Sequence, residues 1–152
     1  MAMMPSAEFE IDESLVLSLL AEQHPDLADS PIRMIANGWD NVLLRLGDDL
    51  VVRLPRREQA ATLVENEARW LAVLDELVPV PIPVPVRVGT ASWRYPWSWT
   101  ISRWIEGRSA LDLSPEERAP LATALGDALS ALHQPSPPDA PHNPVRGVDL
   151  RA

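Results

Sequence analysis

The stretch NGWDNVLLRLGDDLVVRLP, from Asn37 to Pro55, decides the fold. Asn37-Gly38 is a turn signal, because these two residues accept the backbone angles of a tight hairpin at little cost. Val42 to Leu46 and Leu50 to Leu54 are short apolar runs of strand character, and Gly47-Asp48-Asp49 between them is a second turn signal. Residues 32–36, just upstream, are also strand-like. Three strands joined by two tight turns make an antiparallel meander.

Alternation along the third strand puts Leu50, Val52 and Leu54 on one face, and Val51 and Arg53 on the other. Arg53 is a cation on a strand that is otherwise apolar. Downstream, residues 58–78 form the strongest helical pattern, with Leu63, Trp70, Leu71, Leu74, Leu77 and Val78 on one stripe. Glu67 falls in the middle of that stripe, and Glu65 falls on the opposite side. A carboxylate at the centre of an apolar face is costly unless a cation meets it. Arg53 is the partner that the topology offers. Two readings fit such a pair. A strand cation held by a carboxylate of the next helix is how protein kinases grip nucleotide phosphates. The same pair equally describes a plain ionic brace between helix and sheet.

Two other segments carry the same kind of alternative. In the turn from Ala36 to Asn41, backbone N–H groups would cover phosphates, with Gly38 permitting close approach; otherwise it is an ordinary hairpin. Pro79 ends the helix, and Pro79 to Pro85 is extended and polyproline-like. Val84 to Val88 then enters a fourth strand. Trp97 to Ile105 is a fifth, with Trp97, Trp99 and Ile101 alternating against Ser98, Thr100 and Ser102. It runs into Ser102-Arg103-Trp104-Ile105-Glu106-Gly107. This is either an interlobe hinge, whose main chain at Arg103 and Ile105 would hydrogen-bond an adenine edge, or a strand-to-helix loop.

Two more helices flank this set. Residues 12–23 read as a short helix capped by Asp12 or Ser14, with Leu15, Leu19 and Leu20 on one face. Ser114-Pro115-Glu116-Glu117 starts another: a cap, proline at the first position, then acids at the positive end of the dipole. This helix is expected to reach about His133, with Leu121, Leu125, Ala128, Leu129 and Leu132 on its apolar side. The fold class is α+β: a five-stranded antiparallel sheet with one helix inserted after the third strand and lying on one face.

The bulk properties narrow the function. A length of 152 residues gives room for one domain, or one lobe and a piece of another. A net charge of −9 opposes binding to nucleic acid or an anionic membrane, whose phosphates need a basic surface. There is no cysteine, which excludes disulfides, thiolate metal sites and cysteine nucleophiles, and every basic residue other than histidine is arginine. No apolar run has membrane-spanning length, and Met1 to Glu10 lacks the pattern of a secretion signal, so a cytoplasmic location is expected. His24, His133 and His142 have no acid or second histidine at ligand spacing, so no metal site is expected in this chain. Trp93, Trp97, Trp99 and Trp104 are assigned to core and rim packing in preference to stacking on a base or sugar. Asp12, Asp26, Asp29, Asp48, Asp49 and Asp112 are placed on solvated faces.

Taken in order, several segments resemble the aminoglycoside phosphotransferase (kinase-like) family. They are Asn37-Gly38-Trp39-Asp40-Asn41, Val51-Val52-Arg53-Leu54-Pro55-Arg56, Glu67-Ala68-Arg69-Trp70-Leu71, Pro81-Ile82-Pro83-Val84-Pro85, Tyr95-Pro96-Trp97-Ser98-Trp99 and Arg103-Trp104-Ile105-Glu106-Gly107, with His142 to Gly147 in addition. The resemblance runs from Met34 onward. It implies a kinase-like N-lobe over residues 1–105, then a hinge and the start of a C-lobe over residues 106–152. It also implies binding of ATP or GTP with Mg²⁺, and phosphoryl transfer to a hydroxyl of a small molecule, often an antibiotic. Arg53 would replace the family's phosphate lysine, with Glu67 as its helix partner. Gly38 and Asn41 would belong to the turn over the phosphates, Val51 would line the adenine pocket, and Arg103 and Ile105 would supply hinge main chain. The family's catalytic loop and acidic metal motif come later in longer sequences. No His-Gly-Asp or Asp-Phe-Gly-like segment occurs here, and Asp149-Leu150 lacks that context. The chain alone is therefore expected to be inactive, as a piece of a longer enzyme, and to self-associate through apolar surface such as the 115–133 helix. The alternative is a non-catalytic nucleotide-binding or regulatory module built on the same lobe.

Overall fold

The computed structural model describes residues 4–141. Its elements are α1 (Glu13–Gln23), β1 (Ile32–Asn37), β2 (Asn41–Leu46), β3 (Leu50–Pro55), α2 (Glu58–Asp75), β4 (Pro85–Gly89), β5 (Trp99–Arg103), α3 (Pro115–Arg118) and α4 (Leu121–Leu132). The strands form one sheet in the order β1-β2-β3-β5-β4, antiparallel throughout. The expected five-stranded α+β architecture is present. The segments His142 to Gly147 and Asp149-Leu150 lie outside the described residues. Among the described residues no helix is long and apolar enough to cross a membrane.

Alternation decides what each face of the sheet does. Val42, Leu44 and Leu46 of β2, Val52 and Leu54 of β3, and Trp99 and Ile101 of β5 point to one side. There they form a core with Val16, Leu19 and Leu20 of α1, together with Ile11 and Tyr95. The other face carries Leu43, Val51, Arg53, Thr100 and Ser102, and α2 packs over it against β3, β4 and β5. The sheet is thus covered by a helix on each face, not by one helix on one face. The apolar face of α1 has no other place to be buried. Asp12 caps α1, accepting from the Leu15 N–H at 2.7 Å. Inside the core the Tyr95 hydroxyl donates to the Pro55 carbonyl at 2.6 Å, and burial pushes its phenol above the ordinary range.

Four boundaries differ from the sequence expectation, each for a local reason. α2 stops at Asp75 instead of 78, since Pro79 disfavours a helical Val78. Its fully buried side is Ala60, Ala61 and Val64, small residues that allow close approach to the sheet; Leu77 is exposed. β5 covers only residues 99–103, because its ladders run out at Gly89 on one side and Leu50 on the other. The helix expected from Ser114 to His133 is two helices. Ser114 and Glu117 cap α3 reciprocally, the Glu117 N–H donating at 3.2 Å and Glu117 accepting from the Ser114 N–H at 2.9 Å. Pro120 then lacks the N–H that would continue the ladder, and α4 starts afresh. The apolar side of α4 is open, with Leu121, Leu125, Leu129 and Leu132 all exposed. The turn after β1 is a three-residue loop, Gly38 to Asp40, and Gly38 does not take positive φ; that conformation occurs at Gly47, where φ is 57°.

His24, at the end of α1, meets the edge of Trp99 with ring centroids 5.4 Å apart, and its buried Nε2 has no hydrogen-bond partner. Burial lowers its pKa below the ordinary histidine value, and Arg87 adds to this against the opposing pull of Asp26 and the Val88 main chain. The folded protein thus disfavours the charged form of His24, while the unfolded chain takes up its proton at ~6.5. Its contribution to stability is full above that value and is lost as pH falls through the lower folded pKa. The urea midpoint is expected to drop as pH falls below about 6.5, and His24→Gln to flatten that drop. A midpoint with the same slope in both proteins would refute the assignment.

Candidate functional site

Arg53 and Glu67 meet across the face of the sheet opposite the α1 core. The guanidinium makes a two-pronged contact with the carboxylate, Nη1 to Oε2 and Nη2 to Oε1, the second at 3.2 Å. Asn41, its amide oxygen turned toward the strand, accepts from Arg53 Nη2 at 3.0 Å and Nε at 3.3 Å. Three sides of the guanidinium fork are therefore fixed by one helix and the adjacent strand. Asn41 was placed at the site by its segment alone. Its contact with Arg53 follows from the β2–β3 register, in which Asn41 faces Pro55 and Leu43 faces Arg53.

This pair forms one wall of a cleft of about 280 Å³. Val51, Arg103 and Ile105 line it as well, so five of the seven residues singled out in the sequence border one cavity. The remaining two, Gly38 and Asn41, border an adjoining hollow that shares Arg53 and Leu43 with the first. Leu43, Leu71, Pro83, Pro85, Thr100, Ser102 and Trp104 complete the cleft and were not picked out as site residues. For Thr100 and Ser102 the signal was available: they alternate with the core residues Trp99 and Ile101. Trp104 departs from its assignment to packing, since it lines the cleft, whereas Trp99 and Trp97 do pack in or against the core.

The loop over this site is held from beneath. Buried Arg56 donates through Nη1 to the Gly38 carbonyl at 3.1 Å, its N–H donates to the Asp40 carbonyl at 2.9 Å, and Arg57 pairs with Asp40. The Gly38 N–H donates to the Asn41 carbonyl at 2.9 Å, so this amide is spent inside the loop and does not face a ligand. What glycine supplies there is clearance, because a Cβ would sit 3.2 Å from the Asn41 carbonyl oxygen.

The hinge-like segment is also clamped. The Arg45 guanidinium lies 4.1 Å from the Trp104 ring centroid and 3.4 Å from the Glu106 carboxylate. The Trp104 N–H donates to the Asp49 carbonyl at 2.7 Å. In an antiparallel strand the hydrogen-bonding direction alternates, so the main chain of Arg103 turns away from β3. It faces the start of β4, where Pro85 pairs with Ser102.

A larger hollow of about 950 Å³ lies beside α1, lined by Asp12, Glu13 and Asp29 among others. Two of these carboxylates already accept from backbone N–H groups, Asp12 from Leu15 and Glu13 from Met34 at 2.9 Å. The smaller cleft is the better candidate because polar groups converge on it from β3, β5 and α2. Among the described residues no group of three His, Asp or Glu side chains is placed to hold a metal ion.

A family model described as the phosphotransferase enzyme family matches residues 31–146. No curated protein matches the sequence. Solved structures do. The GDP complex of wild-type aminoglycoside 2'-phosphotransferase-IIIa is similar at 21% identity over 80% of this chain and 42% of that chain, with a TM-score of 0.73. ADP-bound aminoglycoside phosphotransferase APH(2'')-Ib is similar at 19% identity over 81% and 40%, with a TM-score of 0.56. Macrolide 2'-phosphotransferase type I is similar at 23% identity over 85% and 45%, with a TM-score of 0.55. The chain spans less than half the length of these proteins, and the shared feature is the fold of their sheet-bearing lobe. With the family model covering well over half of the sequence, the chain belongs to the phosphotransferase enzyme family.

Proposed function

We propose that this chain is the nucleotide-binding part of a small-molecule O-phosphotransferase. In this proposal residues 1–105 form the nucleotide lobe, and residues 106–152 form the hinge and the start of a second lobe. The observation that carries it is the Arg53 guanidinium, held by Glu67 and Asn41 in the wall of a cleft also lined by Arg103 and Ile105 at the end of β5. A structural brace needs the ion pair but not the cleft beside it. The relatives with the same lobe fold were solved with GDP and ADP.

Each residue has a task set by its chemistry. Arg53 presents a planar fork of donors suited to phosphate oxygens. Glu67 and Asn41 hold that fork in one orientation, which reduces the ordering cost of binding. Val51, Leu43 and Ile105 give the base an apolar slot, and the main chain at Arg103 and Ile105 meets its polar edge. Gly38 lets the loop approach the phosphates. The nucleotide is ATP or GTP with Mg²⁺, which would neutralise phosphate charge. The described residues fit the phosphates but provide no carboxylate cage for the ion, so only phosphate grip and base cover are assigned to them. The acceptor is a hydroxyl of a small molecule.

Titration of the chain with Mg-nucleotide, followed by NMR, tests the proposal. Arg53→Ala is expected to weaken binding by ~10- to 100-fold, the worth of a charge-assisted hydrogen-bond pair. Equal binding by both proteins would remove Arg53 from the phosphate site.

A further inference from the structure

One edge of the cleft is bordered by a segment with no free main-chain donor, and the cause lies in the proline run. The segment Pro83-Val84-Pro85 faces the end of β5, where Pro85 pairs with Ser102. Its two prolines have no N–H, and the Val84 N–H is spent on the Ile82 carbonyl at 2.8 Å. This segment therefore has no main-chain donor left for the strand it faces. The Pro83 carbonyl is served instead by the Ser102 hydroxyl, which donates to it at 3.0 Å. A serine hydroxyl has one proton and two acceptor lone pairs. With the proton committed to Pro83, Ser102 Oγ offers the cleft only lone pairs. The next residue, Arg103, turns its main chain away from β3 toward the same donor-poor segment, so its carbonyl is a second acceptor beside the first.

We infer that Ser102 is a specificity-determining residue that selects a purine with a 6-amino group, making ATP rather than GTP the nucleotide of this cleft. The inference rests on the nucleotide-binding proposal above. A 6-amino group has two N–H donors, one for the Arg103 carbonyl and one for Ser102 Oγ. A 6-keto group has none, and would set an oxygen against two acceptors. For Ser102 to turn its proton to that oxygen, the buried serine must give up its hydrogen bond to the Pro83 carbonyl. Thr100, the other hydroxyl in the cleft, lies two residues back along β5, ~7 Å from this edge, and is opposite Arg53 instead.

The test compares ATP with inosine triphosphate, which differs at the 6-position edge and keeps the same phosphates and sugar. The chain is titrated with each Mg-nucleotide by NMR. ATP is expected to bind ~10-fold more tightly, the usual penalty when a site built for a donor meets an acceptor. Ser102→Ala should loosen ATP and bring the two within ~3-fold, with the ITP affinity little changed. Thr100→Val should leave the ratio as in the unmodified chain. Purine riboside triphosphate, which lacks any 6-substituent, should bind the unmodified chain more weakly than ATP; this measurement does not depend on any variant folding. If both triphosphates bind equally, or the ratio survives Ser102→Ala, the role of Ser102 is overturned while nucleotide binding stands. If neither binds at millimolar concentration, it is the nucleotide-binding proposal that fails.

Discussion

Gly89→Ala is expected to lower the melting temperature by ~10 °C, corresponding to ~3 kcal/mol for a chain of this size. Gly89 ends β4 directly opposite Trp99 of β5. A Cβ on residue 89 would lie 1.9 Å from Cε2 of the Trp99 indole, well inside van der Waals contact. The indole cannot retreat. Trp99 has no exposed surface, His24 packs edge-on against it, and it belongs to the core that joins α1 to the sheet. The extra methyl must therefore move a strand or open the core, and a close-packed interior resists both. Thermal unfolding followed by circular dichroism checks the value. A second comparison isolates the cause: in a Trp99→Leu background, adding Gly89→Ala should cost far less than in the unmodified chain, because the colliding ring is gone. Equal costs in the two backgrounds would mean that the ring is not the reason for glycine.

Glu67→Ala is expected to separate the two meanings of the ion pair. The side chains are partly open to solvent, at 30% for Arg53 and 35% for Glu67, so the pair itself adds only ~1 kcal/mol or less to folding. Its loss should shift the urea midpoint little. Nucleotide affinity, in contrast, should fall ~10-fold, because Arg53 then swings on a flexible stem with Asn41 as its remaining anchor. Denaturation and an Mg-ATP titration on the same sample measure both quantities. A large loss of stability with unchanged affinity would make the pair a brace and nothing more.

Sequence pattern reached far into this site because its main geometric demands are periodic. Strand alternation separated Arg53 from Val52 and Leu54, and helical phase put Glu67 on the side facing the sheet; both rules follow from backbone geometry alone. The contribution of Asn41 to the guanidinium fork was less accessible. It depends on the register between β2 and β3, and a shift of one residue would have turned Asn41 away. At Gly38 the number of residues in the turn, not their type, decides whether positive φ is needed, and the three-residue loop does not need it there. The clamp that Arg45 places on the segment after β5 is not legible either, since Arg45, Trp104 and Glu106 are brought together only when β2 and the end of β5 flank β3.

The sequence by itself determined the element order, the inserted helix, the cation–carboxylate pair and the family, because these depend on short-range periodicity and on motifs in fixed order. Tertiary structure alone decided that α1 covers the second face of the sheet, that the prolines strip donors from the cleft edge, and that Gly89 exists to admit an indole. Each of these is a contact between segments far apart in the chain, and its energy depends on which groups end up facing one another, a property that local pattern does not carry.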